Sequence, residues 1–212
     1  MKVGVLGSGE VGQTIADGFL QRGHHVAIGS RTPEKLDDYV KRQRNMLLAG
    51  DFARVAKFGE ILVLATKFRG TKSAIDLAGV ENFDGKIVID VTNPLKGGEG
   101  KSPELSIGFT DSAGETVQRW LPTARVVKAF NAVGSALMID PEFVDGPPSM
   151  FIAGNDDEAK KTVSGIAESF GWDPVDCGPI ERSRLLEQLA ILWIQRGIAT
   201  GKWHHAFKLL QR

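Results

Sequence analysis

The opening stretch of the chain constrains its fold more than any other feature. An apolar run at residues 3–6 leads directly into Gly7, Gly9 and Gly12, which form the spacing Gly-x-Gly-x-x-Gly. In a strand–turn–helix unit, Gly7 makes the tight turn, Gly9 lets a pyrophosphate approach the backbone, and Gly12 lets the helix pack against the strand. Apolar residues follow at helical spacing, namely Val11, Ile15, Ala16, Phe19 and Leu20. In this context the glycines predict a dinucleotide-binding turn rather than a purely structural one.

Length and composition indicate the number of domains, the classes of binding partner and the cellular compartment of the protein. The 212 residues suffice for one well-buried domain and are few for two. The 26 basic and 26 acidic residues balance, so no overall field attracts nucleic acid or an anionic membrane. Cys177 is the single cysteine, which fits a reducing compartment. Since no apolar run has membrane-spanning length and the N-terminal run is too short for a signal peptide, we expect a soluble, cytoplasmic protein.

The turn after the second predicted strand indicates which dinucleotide the chain prefers. Residues 25–29 are predicted to form that strand, and Ser30 and Arg31 follow where NAD-selective folds carry an acidic residue. Arginine binds a 2′-phosphate in a bidentate manner, and Lys35 adds a charge one helical turn further on. An ordinary polar turn, with Thr32 as the cap of the next helix, is compatible with the same residues. The charges favour NADP(H) over NAD(H).

The chain then alternates between predicted strands and helices. Strands are predicted at residues 60–66, 86–91, 124–129, 149–154 and 174–176. Helices are predicted at residues 33–44, 51–57, 72–78, 112–121 and 156–170, and a long glycine-containing loop at residues 96–111. Such alternation is typical of an α/β fold, here a doubly wound Rossmann fold with a mostly parallel sheet. We expect residues 1–178 to form the NADP-binding domain and residues 179–212 a short C-terminal helical extension.

The carboxyl ends of the predicted strands should meet beside the dinucleotide. Residues 65–68 form the carboxyl end of one strand, and Lys67 and Phe68 there are either loop surface or part of the nicotinamide side of the cleft. Asn93 precedes a proline, which turns the chain at the edge of the sheet, so its amide either contacts ligand or holds the turn. Asn131 follows another strand, and a buried amide there needs hydrogen-bond partners.

The sequence indicates no catalytic side chain with clarity. Histidines occur only as adjacent pairs at residues 24–25 and 204–205, and neither pair follows a strand. There is no metal-binding spacing of cysteine and histidine, no Gly-x-Ser-x-Gly nucleophile turn and no lysine–tyrosine pair. Lys128 is the one lysine at a strand end that suits acid–base work. We predict no catalytic residue and no metal, as expected for hydride exchange between a nicotinamide and a flavin-type ring, which depends on orientation.

The C-terminal segment is predicted to be a helix with an apolar stripe. The stripe comprises Leu185, Leu186, Leu189, Leu192 and Trp193. Glu187 is the one carboxylate on this otherwise apolar stretch. The tail adds Trp203, Phe207, Leu209 and Leu210. Because a short segment cannot bury so much apolar surface by itself, we expect a homodimer formed through the C-terminal helix.

Five segments of the chain resemble a known family. They are Val5-Leu6-Gly7-Ser8-Gly9, Gly29-Ser30-Arg31, Asp90-Val91-Thr92-Asn93-Pro94, Val126-Val127-Lys128-Ala129-Phe130-Asn131 and Asp176-Cys177-Gly178-Pro179. In order and spacing, over nearly the whole chain, they are similar to the NADPH-dependent coenzyme F420 reductases and to the oxidoreductase domain of the STEAP metalloreductases. The resemblance implies hydride transfer between NADP(H) and a deazaflavin or flavin, with F420, FMN or FAD as the second substrate.

The resemblance also implies which residues bind the dinucleotide. It assigns Ser30, Arg31 and Lys35 to the 2′-phosphate, the turn around Ser8 to the pyrophosphate, and residues at the strand ends to the nicotinamide. The predicted cofactor-binding set is Gly7, Ser8, Gly9, Glu10, Val11, Gly12, Ser30, Arg31, Lys35, Ala65, Thr66, Lys67, Asn93 and Asn131.

Two other functions stay open at this point. A redox-sensing protein that binds NADP(H) without turnover needs the same first half, because a fold alone does not imply chemistry. A β-hydroxyacid or imine dehydrogenase also shares that half. Such an enzyme needs a large helical domain after the sheet, whereas only residues 177–212 follow it here, and it would depend on Lys128 for turnover.

Overall fold

The computed structural model describes residues 1–43, 46–97 and 103–210. Its strands are β1 (Lys2–Leu6), β2 (His25–Gly29), β3 (Leu47–Gly50), β4 (Ile61–Leu64), β5 (Ile87–Asp90), β6 (Leu95–Lys96), β7 (Glu104–Leu105), β8 (Arg125–Lys128), β9 (Ser149–Gly154) and β10 (Asp173–Asp176). Its α-helices are α1 (Glu10–Gln21), α2 (Asp37–Arg42), α3 (Phe52–Phe58), α4 (Phe68–Ala78), α5 (Ala113–Trp120), α6 (Asp157–Ser169) and α7 (Ser183–Thr200). Within these ranges, no helix combines the length and the apolar character needed to cross a bilayer.

Eight of the strands form one sheet in the order β10-β9-β8-β5-β4-β1-β2-β3. Neighbouring strands are parallel except β8 and β9, which are antiparallel. The predicted doubly wound α/β fold with a mostly parallel sheet is therefore confirmed. The chain passes from β1 outward to β3 and then returns to place β4 on the other side of β1. This reversal creates a crevice at the carboxyl ends of β1 and β4.

Apolar side chains from alternate strand positions fill a hydrophobic layer on each face of the sheet. Val5 lies in one layer with Phe19 of α1, whereas Leu6 lies in the other with Ile75 of α4. The separation follows from the period of two along a strand. Helices cover both faces, so the central strands β4 and β5 are buried throughout, which explains their nearly continuous apolar sequences.

Three predictions for the segments between strands need correction. α4 begins at Phe68 rather than at residue 72. β3 was not predicted, because it is a strand of only four residues at the edge of the sheet. The predicted loop at residues 96–111 contains β7 and the end of β6, which pair as a short antiparallel hairpin. Residues 98–102 of that loop lie outside the described residues.

The predicted helix at residues 33–44 is split in the structure. A 3₁₀ turn at Pro33–Leu36 precedes α2, and residue 44 lies outside the described residues. The Thr32 side chain does not cap the turn, so this part of the alternative interpretation as an ordinary polar turn is wrong. Instead the Thr32 amide donates a hydrogen bond to Oγ of Ser30 at 3.1 Å. Ser30 therefore organises the turn that carries the predicted phosphate-binding residues.

The apolar residues of α7 do not share a single stripe. Leu186 and Trp193 are buried, whereas Leu185 and Leu192 are 61% and 57% exposed. Adjacent residues of a helix are separated by about 100°, so the two pairs lie on different faces. Glu187 is buried on the inner face, where it meets the ends of the strands.

Candidate functional site

Two cavities meet at the carboxyl edge of the sheet and form one groove. The larger has a volume of about 730 Å³ and the smaller about 360 Å³. Both are lined by Gly9, Ala65, Thr66, Lys67 and Arg69. These residues lie where β1 and β4 end, and doubly wound sheets bind ligands at such a switch point. The groove is therefore the candidate site.

The three glycines of the first turn differ in what a side chain would meet at each position. Gly7 has φ +138°, and a Cβ there would lie 2.3 Å from the carbonyl oxygen of Ala65. A Cβ at Gly12 would lie 2.0 Å from the carbonyl oxygen of Gly7. A Cβ at Gly9 would meet no described atom within 4 Å. The open side of Gly9, beside the unpaired amides of the first turn of α1, fits the approach of a pyrophosphate.

Alanine substitutions at Gly9 and Gly12 should separate ligand binding from folding. We expect Gly12→Ala to lower the free energy of unfolding by about 1–3 kcal/mol, because the methyl group is forced against backbone. Gly9 has φ −76° and ψ 179°, which alanine adopts without strain, so Gly9→Ala should unfold like the wild type. Its methyl group should nevertheless weaken dinucleotide binding. Urea unfolding and calorimetric titration measure the two effects, and unchanged dinucleotide binding by Gly9→Ala would contradict the pyrophosphate assignment.

The smaller cavity is bounded by positively charged side chains. Arg31 and Lys35 line it from the segment after β2, and Lys67 and Arg69 line it from the beginning of α4. In the parts of the chain that the structure describes, no carboxylate lines this cavity. Ser30 also lines this cavity and is buried. Cations without a neighbouring acid favour a phosphate over free ribose hydroxyls.

The wall of the larger cavity combines apolar and polar side chains. Val11 and Phe68 supply apolar surface, and the Phe68 ring stacks on Trp120 with ring centroids 5.7 Å apart and an angle of 15° between the planes. Glu10 also lines the cavity, and its Oε1 accepts a hydrogen bond from the Ser135 hydroxyl at 2.5 Å. Small-molecule sites usually combine such apolar walls with a few fixed polar groups.

A buried hydroxyl at the wall of the larger cavity has no hydrogen-bond partner among the described residues. It belongs to Thr92, which is 3% exposed. The Thr92 backbone is held at both ends, because its amide donates to Oδ1 of Asp90 at 2.9 Å and its carbonyl accepts from Nζ of Lys128 at 2.7 Å. An unpaired buried hydroxyl costs about 1–3 kcal/mol. Thr92 is therefore a candidate hydrogen-bond partner for a bound ligand.

Asn93 and Asn131 bind each other across two loops. Nδ2 of Asn93 donates to the Asn131 carbonyl at 2.7 Å, and Nδ2 of Asn131 donates to Oδ1 of Asn93 at 3.0 Å. Nδ2 of Asn131 also donates to the carbonyl of Leu186 in α7 at 2.9 Å. Asn93 lines the larger cavity, whereas Asn131 is absent from the described lining of both cavities. The hydrogen-bond partners that the buried Asn131 amide requires are thus groups of the protein.

Lys128 lies between two carboxylates in the interior of the protein. Its Nζ is 2.7 Å from Oδ2 of Asp90 and 3.0 Å from Oε1 of Glu187, and all three side chains are at most 1% exposed. Glu187 also accepts hydrogen bonds from the amides of Ala113 and Gly114 at the start of α5, at 3.0 and 3.1 Å. The described walls of the groove do not include Lys128. Its position therefore does not support the acid–base role considered from the sequence.

The pKa values of Glu187 and Lys128 are both raised above their usual values. Burial raises the pKa of Glu187, although the attraction of Lys128 and the Ala113 amide opposes this change. Burial opposes protonation of Lys128, but the attraction of Asp90 and Glu187 outweighs it and raises the pKa of the ammonium. Lys128 therefore stays charged near neutral pH, and its role is to neutralise the carboxylates.

The structure brings most of the predicted binding residues to the groove. Those lining it are Gly7, Ser8, Gly9, Glu10, Val11, Ser30, Arg31, Lys35, Ala65, Thr66, Lys67 and Asn93. Gly12 lies behind the turn and Asn131 lies behind Asn93.

Arg69 and Thr92 are two of the groove residues that the predicted binding set did not include. Arg69 lines both cavities, and it was missed because the predicted helix began at residue 72 instead of Phe68. The signal was present, since Lys67, Phe68 and Arg69 directly follow a buried strand. Thr92 was missed because its unpaired hydroxyl becomes visible only in the folded protein.

Comparisons with known proteins identify the family. Residues 2–94 match the family model described as NADP oxidoreductase, coenzyme F420-dependent. An F420-dependent NADP reductase of Methanocaldococcus jannaschii is 32% identical over 208 residues, which cover 92% of this chain and 91% of that protein. The chain belongs to this family. It is therefore an NADP-dependent oxidoreductase, and the family, enzyme class and NADP(H) cofactor predicted from the sequence are confirmed.

Two further relatives extend the comparison. The metalloreductase STEAP3 of Rattus norvegicus is 29% identical over 191 residues, which cover 90% of this chain but 36% of that protein. A crystal structure from Arthrobacter sp. FB24, provisionally named an F420-dependent NADP reductase, superposes with a TM-score of 0.94 and 37% identity over the full length of both chains. The predicted resemblance to both kinds of reductase is thus confirmed.

Proposed function

We propose that this member of the F420-dependent NADP reductase family transfers a hydride between NADPH and a flavin or a deazaflavin of the F420 type. The supporting observation is the single groove, in which a cation-lined cavity joins one of about twice its volume. NADP(H) supplies the hydride when it is bound. The larger cavity, at about 730 Å³, has room for a planar ring beside a nicotinamide.

The residues of the smaller cavity fit the adenosine half of NADP(H). Arg31 and Lys35 would bind the 2′-phosphate, with the Ser30 hydroxyl as a further hydrogen-bond partner. The open side of Gly9 and the first amides of α1 would bind the pyrophosphate. Arg69 lines both cavities and would add a charge between the two ends of the dinucleotide.

The residues of the larger cavity would orient the two rings. The Thr92 hydroxyl and the Asn93 amide offer hydrogen bonds to a carboxamide, and Val11 and Phe68 exclude water from an apolar ring. In this proposal the chain supplies binding and orientation, while the reactive centres belong to the two cofactors. The catalytic set proposed for the protein itself is accordingly empty.

An assay of NADPH oxidation tests this function. The purified protein is mixed with NADPH and, in parallel, with F420, FMN, FAD, or ferric chelate plus flavin, and the loss of NADPH absorbance is followed. We expect turnover with one of these acceptors, which would identify the second substrate. NADPH binding by calorimetry without oxidation by any acceptor would contradict the proposal and favour an NADP(H) sensor. The burial of Lys128 weakens the alternative of a β-hydroxyacid or imine dehydrogenase.

We also propose a homodimer formed through the C-terminal helical extension, residues 179–212. The supporting observation is the apolar surface of that extension. Exposed apolar side chains there are Leu185, Leu192, Ile198, Trp203, Leu209 and Leu210. Such surface is commonly covered by a second subunit. Sedimentation at several protein concentrations would measure the mass, and a monomer at all of them would contradict the proposal.

A further inference from the structure

Two adjacent residues of α7 contact the end of β8 and the loop that follows it, and these in turn bind the segment 92–93. The carbonyl of Leu186 accepts the hydrogen bond from Asn131, which in turn holds Asn93. The carboxylate of Glu187 pairs with Lys128, whose ammonium also donates to the Thr92 carbonyl. Two series of contacts, one through Asn131 and one through Lys128, therefore connect a single turn of α7 to the segment 92–93. This segment lines the larger cavity.

We infer that Asn131, Lys128 and Glu187 are positioning residues that fix the Thr92–Asn93 segment for the nicotinamide half of NADP(H). The inference rests on the proposed function, because that function assigns the larger cavity to the nicotinamide. None of the three side chains belongs to the described lining of the groove, so each acts through another residue. The C-terminal helix thereby takes part in the site without touching the ligand.

The segment is held through the backbone of Thr92 and the side chain of Asn93. The Thr92 backbone is bound at its amide by Asp90 and at its carbonyl by Lys128. Asn93 exchanges two hydrogen bonds with Asn131, one through each end of its side-chain amide. Binding groups held in this way need no rearrangement when the ligand arrives, and a displacement of about 1 Å in such groups costs up to about 100-fold in rate.

Substitution of Glu187 tests the inference without touching the groove. In Glu187→Gln the side-chain amide must direct an N–H group at Lys128 or at the amides of Ala113 and Gly114, which are all donors. The contact from α7 to Thr92 is thereby loosened. Glu168→Gln, on the exposed surface of α6, is the matched control. Asn131→Ala is the second variant, because it removes the side-chain hydrogen bonds to Oδ1 of Asn93 and to the Leu186 carbonyl without altering the buried charges.

Two measurements distinguish an effect on the nicotinamide half of the dinucleotide from an effect on the adenosine half. Calorimetry compares NADP⁺ with 2′-phospho-ADP-ribose, which lacks the nicotinamide, and fluorescence reports on the environment of bound NADPH. For both variants we expect unchanged affinity for 2′-phospho-ADP-ribose. We also expect about tenfold weaker NADP⁺ binding and NADPH emission shifted toward that of the free molecule. The control should match the wild type with every probe.

Two results would overturn the inference. Equal losses with NADP⁺ and 2′-phospho-ADP-ribose would show that the three residues support only the fold. Wild-type affinities and emission in both variants would show that the contacts from α7 do not act on the segment. Neither probe needs a hydride acceptor, so the inference stands or falls separately from the proposed reduction of a flavin or deazaflavin.

Discussion

Replacing Arg31 with alanine should weaken NADPH binding by about tenfold to 100-fold and leave NADH binding nearly unchanged. Arg31 lines the smaller cavity together with Lys35 and the buried Ser30. A hydrogen bond to a charged group contributes about 1.5–3 kcal/mol, and each 1.4 kcal/mol corresponds to about tenfold in affinity. NADH has no 2′-phosphate, so the lost guanidinium has nothing to bind in that complex. Calorimetric titration with both dinucleotides measures the difference.

The difference between the losses of NADPH and NADH affinity is what assigns Arg31 to the 2′-phosphate. Arg42→Ala removes an exposed arginine from α2 that is not among the described residues lining the groove, and it should bind both dinucleotides like the wild type. Equal losses of NADPH and NADH affinity in Arg31→Ala would contradict the phosphate assignment, because they would place Arg31 on a part of the dinucleotide that both molecules share.

A higher salt concentration should reduce the NADPH preference of the wild type, since Arg31 and Lys35 are exposed.

Replacing Lys128 with methionine should lower the free energy of unfolding by about 3–5 kcal/mol. The substitution removes the cation and leaves the carboxylates of Asp90 and Glu187 in the interior, where both are at most 1% exposed. For a chain of this size, that loss corresponds to a midpoint about 6–20 °C lower in thermal unfolding. Adding Glu187→Gln to Lys128→Met should restore part of the loss, because one buried charge is then removed. A double variant less stable than Lys128→Met would contradict this account.

The loss caused by Lys128→Met should depend on pH. Burial already raises the pKa of Glu187 in the wild type, and removal of the ammonium raises it further. A carboxyl whose pKa is higher in the folded than in the unfolded protein destabilises the fold fully above the folded pKa. This penalty disappears as the pH falls toward the unfolded value. Urea unfolding at pH 8 and pH 5.5 should therefore show a smaller loss in acid, and equal losses would contradict the assigned charges.

The fold could be predicted from local patterns because the central strands are apolar without interruption. β9 was predicted with its exact bounds, and β1 follows from its position before Gly7. β3 was not predicted because it is a strand of only four residues at the edge of the sheet, which is too short to show a strong pattern. The faces of α7 were predicted wrongly, since Leu185 and Leu186 are equally apolar and only packing decides which of them is buried.

The candidate site could be predicted where its residues are neighbours in the sequence. The glycine turn and the Ser30–Arg31 pair are local motifs, and both lie at the groove. The bonding of Asn131 to Asn93 depends on two loops that meet only in the folded sheet. The grouping of Lys128 with Asp90 and Glu187 likewise requires three distant segments. Such contacts leave no periodic signal in a single sequence.

The burial of Lys128 also sets an order of events when the chain folds. Glu187 accepts a hydrogen bond from the amide of Ala113, 74 residues away in the sequence, and α7 is synthesised after every strand of the sheet. Contacts between such distant residues close large loops and form slowly. Until α7 docks, the ammonium has one carboxylate instead of two and must retain water. Docking of α7 therefore completes the burial of the ammonium, and a nascent chain cannot pair Lys128 with both carboxylates until α7 has been made.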